Sequence, residues 1–362
     1  MNRIFLFFAL MIPITIVISC KTSKSLLIKE INHVSYKGRI NHNSDGSKTF
    51  IWSGSSATAI FEGTNIEIVL KDETGNNYYN VILDNEVIDI IRPDTVRTSY
   101  PITIKTKGKH NLQLFKRTEY DRGNTIFYGF SVNGGTKILP KELPSEKQIV
   151  FYGNSISAGY SVSDYSGADS PDSIYTNNYQ AYSALTARYF DADYSCICKS
   201  GIGIMVSWFP TIMPDIYDHL DPKKENSLWD YSNDDTDIVV INLFQNDSWL
   251  VLKPEMEVFN NKFGETPPSK SEIIAAYQSF VNNIRSKHPH ANIICALGSM
   301  DATQDGSPWP AYIESAVTNI NDDRIYTFFF PYKNTPGHPK IDEQAQMSKD
   351  LIDYIVKQDL WN

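Results

Sequence analysis

Residues Gln148 to Ser157 read QIVFYGNSIS: a short apolar strand runs to Gly153, and a serine follows two residues later. A glycine directly after a buried strand accepts dihedrals closed to other residues, so the chain can turn sharply there and present Ser155 at the strand's C-terminal edge. That edge is where an α/β sheet collects its chemistry. The same residues also read as a helix N-cap at Ser155 or Ser157, so the choice rests on what surrounds them.

Outward from that turn, the C-terminal part of the chain alternates strands with helices. QIVFY is followed by the helical stretch NYQAYSALTARYF, then DADYSCIC, DIVVINLF, helix SEIIAAYQSFVNNIRSKH, strand NIICALGS, helix PAYIESAVTNIN, strand RIYTFFF and helix IDEQAQMSKDLIDYIVKQ. Five apolar strands without polar alternation imply burial on both faces, and alternation with helices implies parallel βαβ units. The expected fold of residues 148–362 is a flavodoxin-like three-layer α/β/α sandwich. Residues 31–139 read differently: TFIWSG, ATAIFEG, NIEIVLKDE and YYNVILDNEVIDII are β-branched and aromatic, often alternating, and punctuated by Gly, Asn and Asp. They predict an all-β sandwich or jelly roll. The Pro-rich, charged segment at 140–147 is the linker.

In a parallel sheet all strand C-termini share one edge, which brings together the residues that follow them. In order these are Gly153-Asn154-Ser155, Ser200-Gly201-Ile202-Gly203, Phe244-Gln245-Asn246-Asp247, Gly298-Ser299-Met300-Asp301 and Pro336-Gly337-His338-Pro339. Acyl transfer needs a hydroxyl nucleophile, a base for its proton and donors aimed at the developing oxyanion. Ser155, His338, and the trio of Ser155 N–H, Gly201 N–H and Asn246 amide fill that list. Asp247 reads as structural support for the Asn246 loop.

These blocks resemble those of the SGNH, or GDSL, hydrolases: GNSI stands at the first, SG at the second, FQND at the third and GHP at the histidine block. The β-rich half in front, with FEGTNIEIVLKDETGNNYYNVILDNE, and the ending HPKIDEQAQMSKDL resemble carbohydrate esterase family 2 more narrowly. The likeness spans roughly residues 35–360. It implies nucleophile Ser155, general base His338, oxyanion donors Gly201 and Asn246, and no metal or organic cofactor. Asn154 replaces an aspartate that does no chemistry in the superfamily. Thr335 stands where the superfamily commonly has the triad aspartate. Because family 2 includes members whose histidine is held by a main-chain carbonyl, the resemblance implies a Ser-His dyad, with Asp301 and Asp305 as candidate carboxylate orienters. The polar insertion Ala158–Asn177 is placed to shape one wall of the site.

The net charge of −9 disfavours nucleic acid or anionic lipid as a partner. Residues 2–20, NRIFLFFALMIPITIVISC, put one arginine before an apolar run too short for a membrane span. Ending in Val17-Ile18-Ser19-Cys20, the segment resembles a bacterial lipoprotein signal with Cys20 as the lipidated first residue; a plain secretory signal or an uncleaved anchor are the other readings. Localisation in the cell envelope, with a lipid anchor in the membrane, follows as an expectation. Cys196, Cys198 and Cys295 lie in apolar strands and read as buried thiols. His288 and His290 read as solvated residues at a helix end. His33, His42, His110 and His219 lack companion ligands, so no metal site is expected. Trp208, Trp249, Trp309 and Tyr312 are either sugar platforms or packing residues, and Tyr78 and Tyr79 read as strand-core aromatics.

The expected activity is a carboxylic ester hydrolysis, a serine esterase removing acetyl groups from xylan or mannan through an acetyl-enzyme. The alternatives are another SGNH esterase or lipase, an envelope-glycan deacetylase, and a catalytically inert glycan-binding lipoprotein.

Overall fold

The computed structural model describes residues 26–28, 33–132, 135–143 and 145–361. Cys20 and the signal-like segment therefore lie outside the described residues.

Five parallel strands form the sheet of the C-terminal domain: β1 (Gln148–Gly153), β2 (Asp193–Cys198), β3 (Ile238–Asn242), β4 (Asn292–Leu297) and β5 (Ile325–Phe329), in the spatial order β2-β1-β3-β4-β5. Successive side chains alternate between two cores. Val150 and Tyr152 of β1, Val239 and Ile241 of β3, and Ile293 and Cys295 of β4 enter one of them. Ile149 and Phe151, Ile238 and Val240, and Ile294 and Ala296 enter the other. This is the period of two expected of a strand, with both faces apolar because helices cover both.

The main helices are α1 (Ser155–Ala158), α2 (Tyr182–Tyr189), α3 (Gln245–Leu250), α4 (Lys270–Lys287), α5 (Trp309–Ile320) and α6 (Ile341–Lys357). α4 and α5 cover the first core with Tyr277, Phe280, Ile284, Ile313 and Ala316. α2 and α6 cover the second with Tyr182, Ala187, Met347, Leu351 and Ile355. α4 starts at a capping box, in which Ser269 Oγ accepts the Glu272 N–H and the Glu272 carboxylate accepts the Ser269 N–H at 2.7 Å. Cys196, Cys198 and Cys295 are free and buried, acting as small apolar residues.

The N-terminal domain is a sandwich of two six-stranded antiparallel sheets. One runs Ile40–His42, Lys48–Phe50, Thr125–Val132, Asn65–Asp72, Thr98–Thr103, with Leu26–Ile28 also paired to Thr125–Val132. The other runs Lys137–Ile138, Ser56–Glu62, Lys109–Lys116, Tyr79–Leu83, Glu86–Ile91, with Val34–Lys37 paired to Ser56–Glu62. Tyr79 is fully buried between the sheets, as a strand-core aromatic should be.

The two domains share their packing. Ile51, Trp52 and Tyr120 of the sandwich belong to one core of the α/β domain, and Ile82 and Phe115 to the other. Arg39, buried, donates to the carbonyls of Tyr217 (2.6 Å) and His219 (3.1 Å) and to the hydroxyls of Tyr152 (2.9 Å) and Tyr231 (2.6 Å). His288 joins this network, with Nδ1 2.6 Å from Asp234 Oδ2 and Nε2 2.9 Å from the Tyr152 hydroxyl. It caps α4 as its position suggests, yet it is buried rather than solvated, because that end of the helix lies against β1 and the interdomain arginine.

Candidate active site

Ser155 is the first residue of α1, directly after the β1 turn, and Asn154 is the N-cap, its Oδ1 accepting the Ile156 N–H at 3.0 Å. Gly153 is needed there for closeness rather than for its dihedrals, since φ is not in the left-handed region; a Cβ would stand 2.4 Å from Ser157 Oγ. Beneath the turn, Ser157 Oγ and the Tyr182 hydroxyl are 2.8 Å apart, and Gln344 Nε2 donates to the Ile156 carbonyl at 3.0 Å. The serine thus sits on a buried, hydrogen-bonded base.

His338 comes from the loop between β5 and α6, and its Nε2 is 2.9 Å from Ser155 Oγ. Its Nδ1 is 2.8 Å from Oδ2 of Asp169, and the same oxygen accepts the His338 backbone N–H at 2.8 Å. Oδ1 accepts from Lys340 Nζ at 2.7 Å. The His338 bond, with help from Lys340 and against the cost of partial burial, holds the Asp169 carboxyl well below the usual carboxylate range. An ionised acceptor at Nδ1 fixes the proton on that nitrogen and leaves Nε2 free to accept from the serine hydroxyl.

The orienter is therefore not a main-chain carbonyl, nor Asp301 or Asp305. Asp301 is engaged by the neighbouring loop, accepting from Gln245 Nε2 at 2.8 Å and Trp249 Nε1 at 2.7 Å. Asp305 is exposed in the turn that follows. Thr335 hydrogen-bonds Glu343 and accepts from Lys333 at its carbonyl (2.8 Å), not from the histidine. The carboxylate that meets the histidine comes instead from the insertion after Ser155, expected only to form a wall. That insertion carries three aspartates, Asp164, Asp169 and Asp172, and no local spacing separates them. Asp164 serves the loop's own turns, accepting the N–H groups of Ser166 (2.8 Å) and Ser170 (2.7 Å), and Asp172 opens the short turn Ser173–Tyr175 with its carbonyl, its carboxylate making no cap bond.

Because β1 lies between β2 and β3, the loops after those strands flank Ser155 on either side. Gly201, in the first loop, finds no acceptor for its N–H among the described residues, and the Ser155 N–H, at the first position of α1, has no intrahelical partner. Asn246, in the second, donates one amide N–H to the Ile202 carbonyl (2.8 Å) and accepts from Trp208 Nε1 (3.0 Å), leaving its second N–H. Three donors thus stand at one edge.

Two residues hold these loops. Asp247, fully buried, accepts the N–H groups of Ile204 (3.0 Å), Met205 (2.7 Å) and Val206 (3.2 Å) and so ties α3 to the Gly201 loop. Burial pushes its carboxyl up to about 6, against those three donors. Glu119 reaches across from the sandwich domain, accepting the Ser200 N–H at 2.5 Å and its hydroxyl at 2.6 Å. Phe244 has left-handed backbone (φ 82°), held by packing against Tyr277 and Trp309 at ring separations of 4.7 and 5.0 Å. Trp309 is thus a core residue.

Trp208, 42% exposed, and Trp249 meet edge to face at 6.5 Å on this rim. Beside them lies a hollow of about 370 Å³ lined by Trp249, Leu252, Lys253, Asp301 and Trp309. Among the described residues no cluster of three or more His, Cys, Asp or Glu is placed to hold a metal ion.

The N-terminal domain of carbohydrate esterase 2 matches residues 36–141. The cellulase/esterase CelE of Acetivibrio thermocellus is 28% identical over 340 residues, covering 90% of this chain but only 39% of that longer protein. An acetylxylan esterase / glucomannan deacetylase of Cellvibrio japonicus is 24% identical over 328 residues, 88% of this chain and 87% of that one. The structure of a family two carbohydrate esterase from Clostridium thermocellum in complex with cellohexaose matches with a TM-score of 0.80 at 27% identity, covering 91% of this chain and 100% of the other. The sandwich at residues 36–141 thus matches the N-terminal domain of carbohydrate esterase 2, and over about nine-tenths of its length, sandwich and parallel-sheet domain together, the chain is most like the carbohydrate esterases of family 2.

Proposed function

We propose that this chain is a serine carboxylic ester hydrolase that removes acetyl groups from polysaccharide of the xylan or mannan type, with Ser155, His338 and Asp169 as its triad. The observation that carries the reading is the continuous hydrogen-bonded line from Ser155 Oγ through both nitrogens of His338 to Asp169 Oδ2, at 2.9 and 2.8 Å.

As Ser155 Oγ attacks the acetyl carbonyl, His338 Nε2 takes its proton and Asp169 balances the imidazolium. The Ser155 and Gly201 N–H groups and the free Asn246 N–H receive the oxyanion; each such donor is worth about 3 to 4 kcal/mol in comparable sites. Collapse of the intermediate expels the sugar oxygen, which takes the proton from His338. Water, deprotonated by the same imidazole, then attacks the acetyl-enzyme, and acetate leaves as Ser155 regains its proton. These steps use only groups that the chain carries.

A sugar substrate is supported by the exposed indole of Trp208, next to Gly201, and the half-buried one of Trp249 packed against it, because aromatic faces pack well on pyranose rings. The names of the relatives point to the same class. Residues 1–20 support export by the lipoprotein route with anchoring through Cys20. Acetate release from acetylated glucomannan and xylan, measured beside hydrolysis of a long-chain ester, tests the assignment. Rapid release from the polysaccharides with little turnover of the long-chain ester is expected; the reverse order would identify a lipase-like esterase, and no turnover of any ester an inert binding protein.

A further inference from the structure

The carboxylate of Asp169 is carried by a surface loop, and that loop is tied down from two sides. Its far arm is held by the sandwich domain. Arg117 donates to the carbonyls of Ile174 (2.8 Å) and Thr176 (3.3 Å), and Arg122 to that of Pro171 (3.3 Å). Its near arm is held from the histidine loop and the start of α6 by His338 and Lys340. Lys340 Nζ donates to the Ser161 carbonyl at 3.0 Å and to Asp169 Oδ1 at 2.7 Å. Ser161 and Asp169 both have left-handed backbone, with φ of 52° and 50°, so each is held in a conformation that an L-residue adopts at a cost. Gly337 (φ 71°) supplies the remaining wall: a Cβ there would stand 2.8 Å from both Asp169 oxygens. The carboxylate is therefore seated with Oδ2 on the two N–H groups of His338 and Oδ1 on the lysine.

We propose that Lys340 is the positioning residue of the triad acid: its ammonium pins Asp169 so that Oδ2 faces His338 Nδ1, and its charge offsets part of the pull that the carboxylate exerts on the imidazolium. The inference rests on the triad reading above. Without the lysine, the strained loop would be fixed at Asp169 through Oδ2 and His338 only; the lysine adds a bond to Oδ1 and a tether to the loop's start, which lowers the entropy left to lose when the triad assembles. Its charge acts oppositely on the imidazole. A carboxylate beside His338 favours the protonated ring, and a cation on the other carboxylate oxygen disfavours it.

The other groups facing this pair leave Lys340 as the cation bonded to Asp169. Tyr160 packs edge-on against the His338 ring at 4.9 Å. Lys333 is paired with Glu343 at 3.6 Å. Beyond Tyr160 lie Glu119, Arg122 and Lys199, of which Lys199 is bound to Asp121 at 3.0 Å.

The test is the pH dependence of kcat/KM for a small acetyl ester in Lys340→Met, Lys340→Gln and Lys340→Arg, with the thermal midpoint measured alongside. Lys340→Gln keeps donors for Asp169 and Ser161 without the charge, and carries the test should the methionine variant not fold. In both neutral variants the acid limb, where the ring gains its proton, is expected to move up by about one pH unit. The plateau kcat should fall by about tenfold as the acid loosens, while KM stays within about twofold. Lys340→Arg should leave the limb in place. A limb that stays put or moves to lower pH in the neutral variants, or one that moves equally in Lys340→Arg, overturns the proposal. Full activity in Asp169→Asn would instead overturn the triad reading, which keeps the two failures apart.

Discussion

Asp169 Oδ2 and His338 Nδ1 are 2.8 Å apart, although their positions are 169 apart in the chain and both sit in loops. The pairing extends the Ser155–His338 contact to a carboxylate, where the block around the histidine, with Thr335 three residues before it, pointed to a dyad. If that pairing orients the imidazole, Asp169→Asn lowers kcat on a simple acetyl ester by about 10⁴-fold, as neutralising a triad aspartate does in serine proteases. Asp301→Ala and Asp305→Ala should stay within a few-fold on the same substrate, since Asp301 holds Gln245 and Trp249 instead. Equal losses at Asp169 and Asp301 would remove the distinction.

Glu119 makes the sandwich domain part of the catalytic edge. Its carboxylate fixes both the N–H and the hydroxyl of Ser200, the residue before Gly201. Glu119→Ala should therefore reduce kcat by about 10²-fold with little change in KM, the pattern of an interaction felt mainly in the transition state. An unchanged kcat in a folded variant would show that the Gly201 loop holds itself.

Lys116 gives a stability signature. It is fully buried, donating to the carbonyls of Ile51 (2.6 Å) and Glu119 (3.2 Å), and burial pushes its ammonium down from 10.5 to about 7. Between those values the unfolded chain binds a proton that the folded chain does not, so this group makes folding more favourable as pH rises from 7 towards 10. Thermal midpoints of wild type and Lys116→Met, compared from pH 7 to 10, should show the wild type gaining on the variant. A constant difference would mean that the lysine keeps its proton in the fold.

Cys20 lies outside the described residues, and its role rests on Val17-Ile18-Ser19-Cys20. Cys20→Ser should leave the membrane fraction or retain its signal segment. Mass spectrometry of the native protein should find a lipidated Cys20; an unmodified cysteine or a different mature N-terminus would refute the anchor.

What could be read from the residues was whatever strand topology alone brings together. Apolar runs such as IVVIN and NIICAL force a two-sided parallel sheet, and that sheet places Ser155, Gly201, Asn246 and His338 on one edge. Asp169 was hidden because a polar loop has no period: three similar aspartates lie within it, and what selects one is the closure of the loop against Gly337 and Lys340. His288 was misread for a related reason. A histidine at a helix end is solvated only if nothing packs there, and Arg39, from the other domain, helps build the network that buries it. Gly153 matched its expected position but for a different cause, contact with Ser157 rather than a dihedral.

The most direct test of the central claim is a double-mutant comparison at Ser155 and His338, read as turnover of a simple acetyl ester with the fold checked by thermal unfolding. Acting as one unit, the two residues should give single alanine variants that each lose on the order of 10⁴-fold or more, and a double variant scarcely worse than either. A Ser155→Ala protein that hydrolyses the ester at near wild-type rate would contradict the account.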